Sequence, residues 1–229
     1  QNHTLLIYGG ERGGQNKNTS LEKSPTDEIL LYDLVTKEWM RLFPFNSNIN
    51  ELRPENLKRK GHTALYKYHN SNPDDTLEEV HDKMFVFGGE KKGTPDNVLL
   101  SSTSSIFITL NLRTLTWENQ TSSLVSQFQT NNGITNHTAV LYDISVNNTT
   151  MIVFGGSNTT ATATNNTFIY NFNNNNWTKL TTTLAPADRY GHTADIYIAP
   201  NEPTGRVNLF PYDCMVISFG KSTDSATNS

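Results

Sequence analysis

The chain has 229 residues, 35% of them hydrophobic and 17% charged, with a net charge of −4. Its length suits one large all-β domain. So modest an acidity argues against general nucleic-acid binding, and no apolar run approaches the roughly 18 residues that a membrane-spanning helix needs.

The first expected strand is Leu-Ile-Tyr-Gly-Gly at 6–10, an apolar run closed by Gly9 and Gly10. Ile-Leu-Leu-Tyr-Asp-Leu at 29–34 brings Tyr32, and Trp39 follows seven residues later. Gly-His-Thr-Ala at 61–64 introduces His62. A second apolar run, at 85–89, ends in Gly88 and Gly89. The next strand, 106–112, puts Leu110 in the tyrosine's place, seven before Trp117. The third round repeats the order: His137 in Asn-His-Thr-Ala, then Gly155 and Gly156, then Tyr170, then Trp177. A fourth opens at His192 in Gly-His-Thr-Ala and reaches a degraded Val-Ile-Ser-Phe-Gly at 216–220.

This recurrence predicts a unit of four short strands. The first starts at His-Thr-Ala, the second ends at Gly-Gly, the third carries the tyrosine and the fourth the tryptophan. The runs are β-branched and aromatic, and Asn, Gly, Pro and Ser bound them. Glycine at a strand end tolerates positive φ and lets another backbone or a ring come close. Tyrosine and tryptophan supply large apolar area for packing between sheets. The His-Thr pair is expected to cap backbone groups where sheets meet.

The order His-Thr, Gly-Gly, Tyr, Trp resembles the kelch repeat, and it extends over nearly the whole chain. The departures are Leu110 for tyrosine, Asn136 for glycine, and Lys221 where a second glycine should follow Gly220. The resemblance implies an all-β fold: a kelch-type β-propeller of four-stranded antiparallel blades, the architecture of the galactose oxidase central domain. Its landmarks fall at 9–39, 62–117, 137–177 and 192–220, with 221–229 as a polar tail or linker. Two blades are then full and two partial, so the expected set is incomplete and the remaining blades belong to a longer polypeptide. Gly9, Gly88, Gly155 and Gly220 lie 79, 67 and 65 residues apart, against about 50 for a kelch unit, which implies inserted loops.

Loops on one side of a rigid scaffold are where binding usually resides. The loops joining second to third strands share a face with those joining blades, and this face is rich in lysine and arginine. The loop at 70–83 on the opposite face is acidic. In kelch relatives that grip peptides, the first face is a common binding face and acidic peptides are common ligands. Arg12, Arg53, Arg59 and Arg189, with Tyr190 as an aromatic anchor, are therefore the expected partner-binding residues, acting through charge-assisted hydrogen bonds.

Cys214 is the only cysteine, which excludes an internal disulfide. Asn-x-Ser/Thr acceptors stand at Asn2, Asn18, Asn119, Asn136, Asn147, Asn148, Asn158, Asn165 and Asn176. With the Asn- and Thr-rich composition, similar in style to fungal kelch proteins, they point to an extracellular or membrane-anchored glycoprotein ectodomain. A cytoplasmic adaptor is the alternative. A copper radical oxidase of the galactose oxidase kind would need a cysteine-linked tyrosine, another tyrosine and two histidines. No stretch matches those motifs, and Cys214 reads as a buried strand thiol. The resulting expectation is a protein-binding scaffold without catalysis, cofactor or metal.

Overall fold

The computed structural model describes residues 4–12, 24–44, 54–67, 82–92, 98–100, 106–120, 133–145, 148–158, 162–181, 184–199 and 212–223. The chain forms two compact units, Gln1–Thr135 and Asn136–Ser229.

The first unit contains β1 (Thr4–Tyr8), β2 (Glu11–Arg12), β3 (Ser24–Pro25), β4 (Ile29–Asp33), β5 (Trp39–Leu42), a one-turn helix α1 (Pro54–Leu57), β6 (Thr63–Lys67), β7 (Lys83–Phe87), β8 (Glu90–Lys91), β9 (Val98–Leu99), β10 (Phe107–Asn111) and β11 (Thr116–Asn119). Blade 1 is the antiparallel sheet β1-β4-β5, and blade 2 is β6-β7-β10-β11. The short ladders β2–β3 and β8–β9 lie just past the glycine pairs. The helix was not foreseen in an all-β reading; it buries Leu57 in the core of this unit.

The second unit contains β12 (Thr138–Ser145), β13 (Asn148–Phe154), β14 (Thr167–Asn171), β15 (Asn176–Leu180), β16 (Thr193–Tyr197) and β17 (Cys214–Ser218). Blade 3 is β12-β13-β14-β15 and blade 4 is the pair β16-β17. Two four-stranded sheets flanked by partial ones match the blade count expected from the sequence.

Burial follows from the strand sequences. In β7 and β10 nearly every side chain is buried, so these strands read as continuous apolar runs without alternation. Met84, Val86, Ile108, Leu110 and Trp117 form one face of blade 2, and they pack with Tyr8, Leu6, Ile29 and Leu42 of blade 1. Blade 3 buries the corresponding residues Met151, Val153, Phe168, Tyr170 and Trp177. The register pairs Met151 with Tyr170 and Tyr170 with Trp177, as it pairs Met84 with Leu110 and Leu110 with Trp117. Leu110 therefore does occupy the tyrosine's place. Blade 1 carries the same face as Leu5, Ile7, Tyr32 and Trp39, but here Trp39 is 55% and Leu5 49% exposed.

The turns from third to fourth strand share a device that the landmarks do not include. Asp33 Oδ1 accepts the N–H groups of Val35 and Thr36, Asn111 Oδ1 those of Arg113 and Thr114, and Asn171 Oδ1 that of Asn173. Each turn then places one residue, Lys37, Leu115 or Asn175, at positive φ. The left-handed residue closes the reversal, in the first turn with Lys37 N–H donating to the Asp33 carbonyl at 2.9 Å, and the Asp or Asn side chain fixes it.

One landmark needs correcting. Thr193 pairs with Ser218 as Thr63 pairs with Phe87 and Thr138 with Phe154. Phe219 thus stands in the first glycine's place and Gly220 in the second's, with φ of 66° and 96° against 67° and 96° at Gly155 and Gly156. Lys221 is not the missing glycine; its backbone pairs with Tyr190 as Glu90 pairs with Lys60. The expected tail at 221–229 is also anchored at its start, because Ser222 and Thr223 donate side-chain hydrogen bonds to Asp188.

Candidate functional site

Within each unit the repeat landmarks converge where one blade meets the next. In the first unit Gly9 has φ of 67°, and a Cβ built there would come within 2.6 Å of His62 Cε1 and 2.8 Å of the Arg59 carbonyl oxygen. In the second unit Gly155 has the same φ, and its Cβ would meet the Arg189 oxygen at 2.6 Å and His192 Cε1 at 2.7 Å. Only glycine fits both the backbone and the space. The second glycine of each pair donates its N–H to the residue three before the histidine: Gly10 to Arg59 at 2.9 Å and Gly156 to Arg189 at 2.8 Å.

The histidines close these seams. His62 Nε2 donates to the Tyr8 carbonyl at 3.1 Å, and its ring meets the Tyr8 ring edge-on at 5.1 Å. His192 meets Phe154 edge-on at 5.4 Å, and its Nε2 lies 2.8 Å from Thr138 Oγ1. Burial, with the nearby Arg59 charge adding to it, pushes the His62 imidazole down to about 3. Unfolded histidine titrates near 6.5. Between those values the unfolded chain binds a proton that the folded chain refuses, so stability is full above about pH 6.5 and falls as the pH drops through the window. Going from pH 7.5 to pH 5, the His62 contribution should cost about 2 kcal/mol. Denaturant unfolding at the two pH values measures this, and His62→Gln should flatten the difference.

Arg59 overturns an expectation. It is fully buried, not a surface anchor. Its guanidinium donates to the carbonyls of Gly88, at 3.2 Å, and Asn56, and lies beside the Tyr8 hydroxyl, which itself donates to the Leu57 carbonyl. Burial dominates here too, pushing the Tyr8 phenol up to about 12. A charge held this way ties α1 and blades 1 and 2 together, and it cannot reach a partner. Arg189 holds the repeat-equivalent position, half-buried. Its Nε donates to the Ala187 carbonyl at 3.2 Å and its Nη1 to that of Phe219 at 3.4 Å. The sequence signal was available: arginine stands three residues before histidine in both places.

The other expected binding residues are placed as follows. Tyr190 is half-buried, with its main chain paired to Lys221. Arg12 lies in β2 opposite Ser24, and Arg53 lies outside the described residues. The basic run at 58–60 separates into three fates. Lys58 is exposed, Arg59 is buried, and Lys60 sits between Glu11 at 2.7 Å and Glu90 at 3.3 Å. Two of these three cations are therefore already engaged within the first unit.

Of the glycosylation acceptors, Asn136, Asn158, Asn165 and Asn176 are exposed and Asn119 is half-buried. Asn136 takes the place of Gly61 and Gly191 with φ of 54°. Asn148 begins β13, while Asn2, Asn18 and Asn147 lie outside the described residues. Cys214 is half-buried in β17, cross-strand from Tyr197. Among the described residues no three His, Cys, Asp or Glu side chains stand where they could hold one metal ion, and no helix is long and apolar enough to cross a membrane.

Comparison with known proteins agrees with this geometry. A family model described as the KLHDC2/KLHL20/DRC7 Kelch-repeats domain matches residues 74–199, more than half of the chain. The chain belongs to the kelch-repeat family. Among solved structures, that of YjhT is similar, with 15% sequence identity over 83% of this chain and 52% of that one and a TM-score of 0.51. The kelch chain thus spans about half the length of that structure, and at such identity the likeness speaks to the fold. Among curated proteins none matches. Kelch domains generally bind protein partners and generally lack chemistry of their own, so the family supports a protein-interaction scaffold.

Proposed function

We propose that the chain is a non-catalytic scaffold that binds a protein or peptide partner through the loops at the glycine ends of its strands. The observation that carries this reading is the use to which the repeat residues are put. The histidines, glycines and buried tryptophans hold sheets together, as does Arg59, which leaves recognition to the loops rooted beside them. Those roots are tied by backbone pairs, Thr26 with Arg59, Lys60 with Glu90, Ser157 with Ala163 and Tyr190 with Lys221. A rigid base of this kind lets loops present contacts at low entropic cost. An acidic segment remains the expected ligand chemistry, with Tyr190 as the aromatic contact and Arg189, next to it in the chain, as the cation.

Selection of a displayed random-peptide library on the immobilised chain tests this. Enrichment of acidic peptides is expected, with affinity at least tenfold weaker on the variant carrying Arg189→Ala and Tyr190→Ala. Peptides whose binding survives both substitutions would move the site elsewhere.

A further blade is proposed to cover the exposed face of Leu5, Ile7, Tyr32 and Trp39, since blades 2 and 3 bury the same positions. The ectodomain setting is also proposed, on the exposed acceptors at Asn158, Asn165 and Asn176. Secretion of the chain with a glycosidase-sensitive mass supports it, whereas unmodified asparagines would favour the intracellular adaptor.

A further inference from the structure

Blade 4 departs from the other blades at the one place where its neighbour would be recognised. At both seams described above, the first glycine of a pair receives the histidine ring of the following blade, and a Cβ there would already come within 2.6 to 2.7 Å of that ring. Blade 4 carries a phenylalanine at this position. Its backbone is that of a regular repeat, because φ at Phe219 and Gly220 reproduces the glycine pairs. A Cβ built on Gly220 would meet the Cβ of His192 at 2.9 Å, as one built on Gly89 would meet that of His62 at 2.9 Å. A second change accompanies the first. Ser218 replaces the aromatic that meets the histidine edge-on, Tyr8 in blade 1 and Phe154 in blade 3. The aromatic stands one residue further along, just past the end of β17 and at positive φ.

The consequence is steric and specific. An Arg-x-Gly-His segment cannot dock on blade 4 as Arg59 to His62 docks on blade 1, because Phe219 would occupy the imidazole's volume. The Phe219 ring is 86% exposed and Val216 of β17 is 47% exposed. A bulky residue at positive φ is a strained choice, and it persists where something depends on it.

We propose that the far side of blade 4 is an interaction surface anchored by Phe219. Its occupant is a strand of a further repeat that carries a small residue, glycine, alanine or serine, where His62 and His192 stand. Removing the imidazole takes away the side-chain atoms that a Cβ at this position would meet, 2.6 to 2.7 Å away at the two seams. The backbone pairing of the second glycine, here Gly220, is unaffected. This rests on the kelch fold and not on the loop-binding reading, so the two can fail separately.

Two peptides test it on the intact chain, one spanning residues 58–67 and one identical but with His62 replaced by alanine. Fluorescence anisotropy should show the alanine peptide binding at least tenfold more tightly than the histidine peptide. Phe219→Gly should reverse that preference. Equal affinities, a preference for histidine, or no binding by either peptide would overturn the proposal. The melting temperature of Phe219→Gly adds a second reading. It should equal or exceed that of the parent, because glycine relieves the backbone and no packing is lost. A lower value would show Phe219 packed within the chain and would also overturn it.

Discussion

Replacing Arg59 by alanine is expected to destabilise the first unit by about 3–5 kcal/mol, the range for breaking a buried charged network. The loss has three parts. The carbonyls of Gly88 and Asn56 lose a charged donor, the Tyr8 hydroxyl loses a neighbour, and a large side chain leaves a void. Arg59→Met should cost less, because it refills the volume and removes the desolvation of a buried cation. Arg189→Ala is the internal control. Its guanidinium is half-buried and its bonds are longer, so about 1 kcal/mol or less is expected. Urea unfolding of the three variants separates these cases. A surface-like value for Arg59→Ala would mean that the arginine is not the tie between blades described here.

Replacing Trp177 by alanine is expected to cost the second unit about 3–5 kcal/mol. The residue is 2% exposed, and its ring lies 5.1 Å from that of Tyr170. Trp39 holds the same repeat position, 4.8 Å from Tyr32, but is 55% exposed. Trp39→Ala should therefore cost about 1 kcal/mol or less in this chain. If a further blade covers that face in a longer polypeptide, the same substitution there should cost as much as Trp177→Ala. Equal effects in the isolated chain would mean that repeat position, and not burial, sets the contribution.

The fold was legible because its landmarks are spaced by strand geometry. Tyr32 and Trp39 are cross-strand partners, as are Tyr170 and Trp177, so a separation of seven reports a short turn between two paired strands. The glycine pairs were legible because nothing else tolerates the seam. The Asp33, Asn111 and Asn171 turns are less legible, although each follows the tyrosine position directly, because Asp and Asn are common in turns of every kind. The burial of Arg59 is hidden in the sequence for a physical reason. Arginine is almost always exposed unless paired, and its partners are backbone carbonyls, which leave no trace in the identity of neighbouring side chains. The place of Phe219 is not legible in the sequence, because a single glycine fits either place of a pair and only strand register distinguishes the two. The loop face was least legible. Charge in a loop does not say whether the charge is free, and Lys60 is held between two acids.

The most direct measurement is hydrogen exchange on the chain, alone and saturated with a peptide selected on it. Protection gained in the second unit around 157–158 and 184–190, where Arg189 and Tyr190 stand, with the strand amides unchanged, is the expected result. Protection confined to the strand amides, with 184–190 unchanged, would contradict a scaffold that binds through its glycine-end loops.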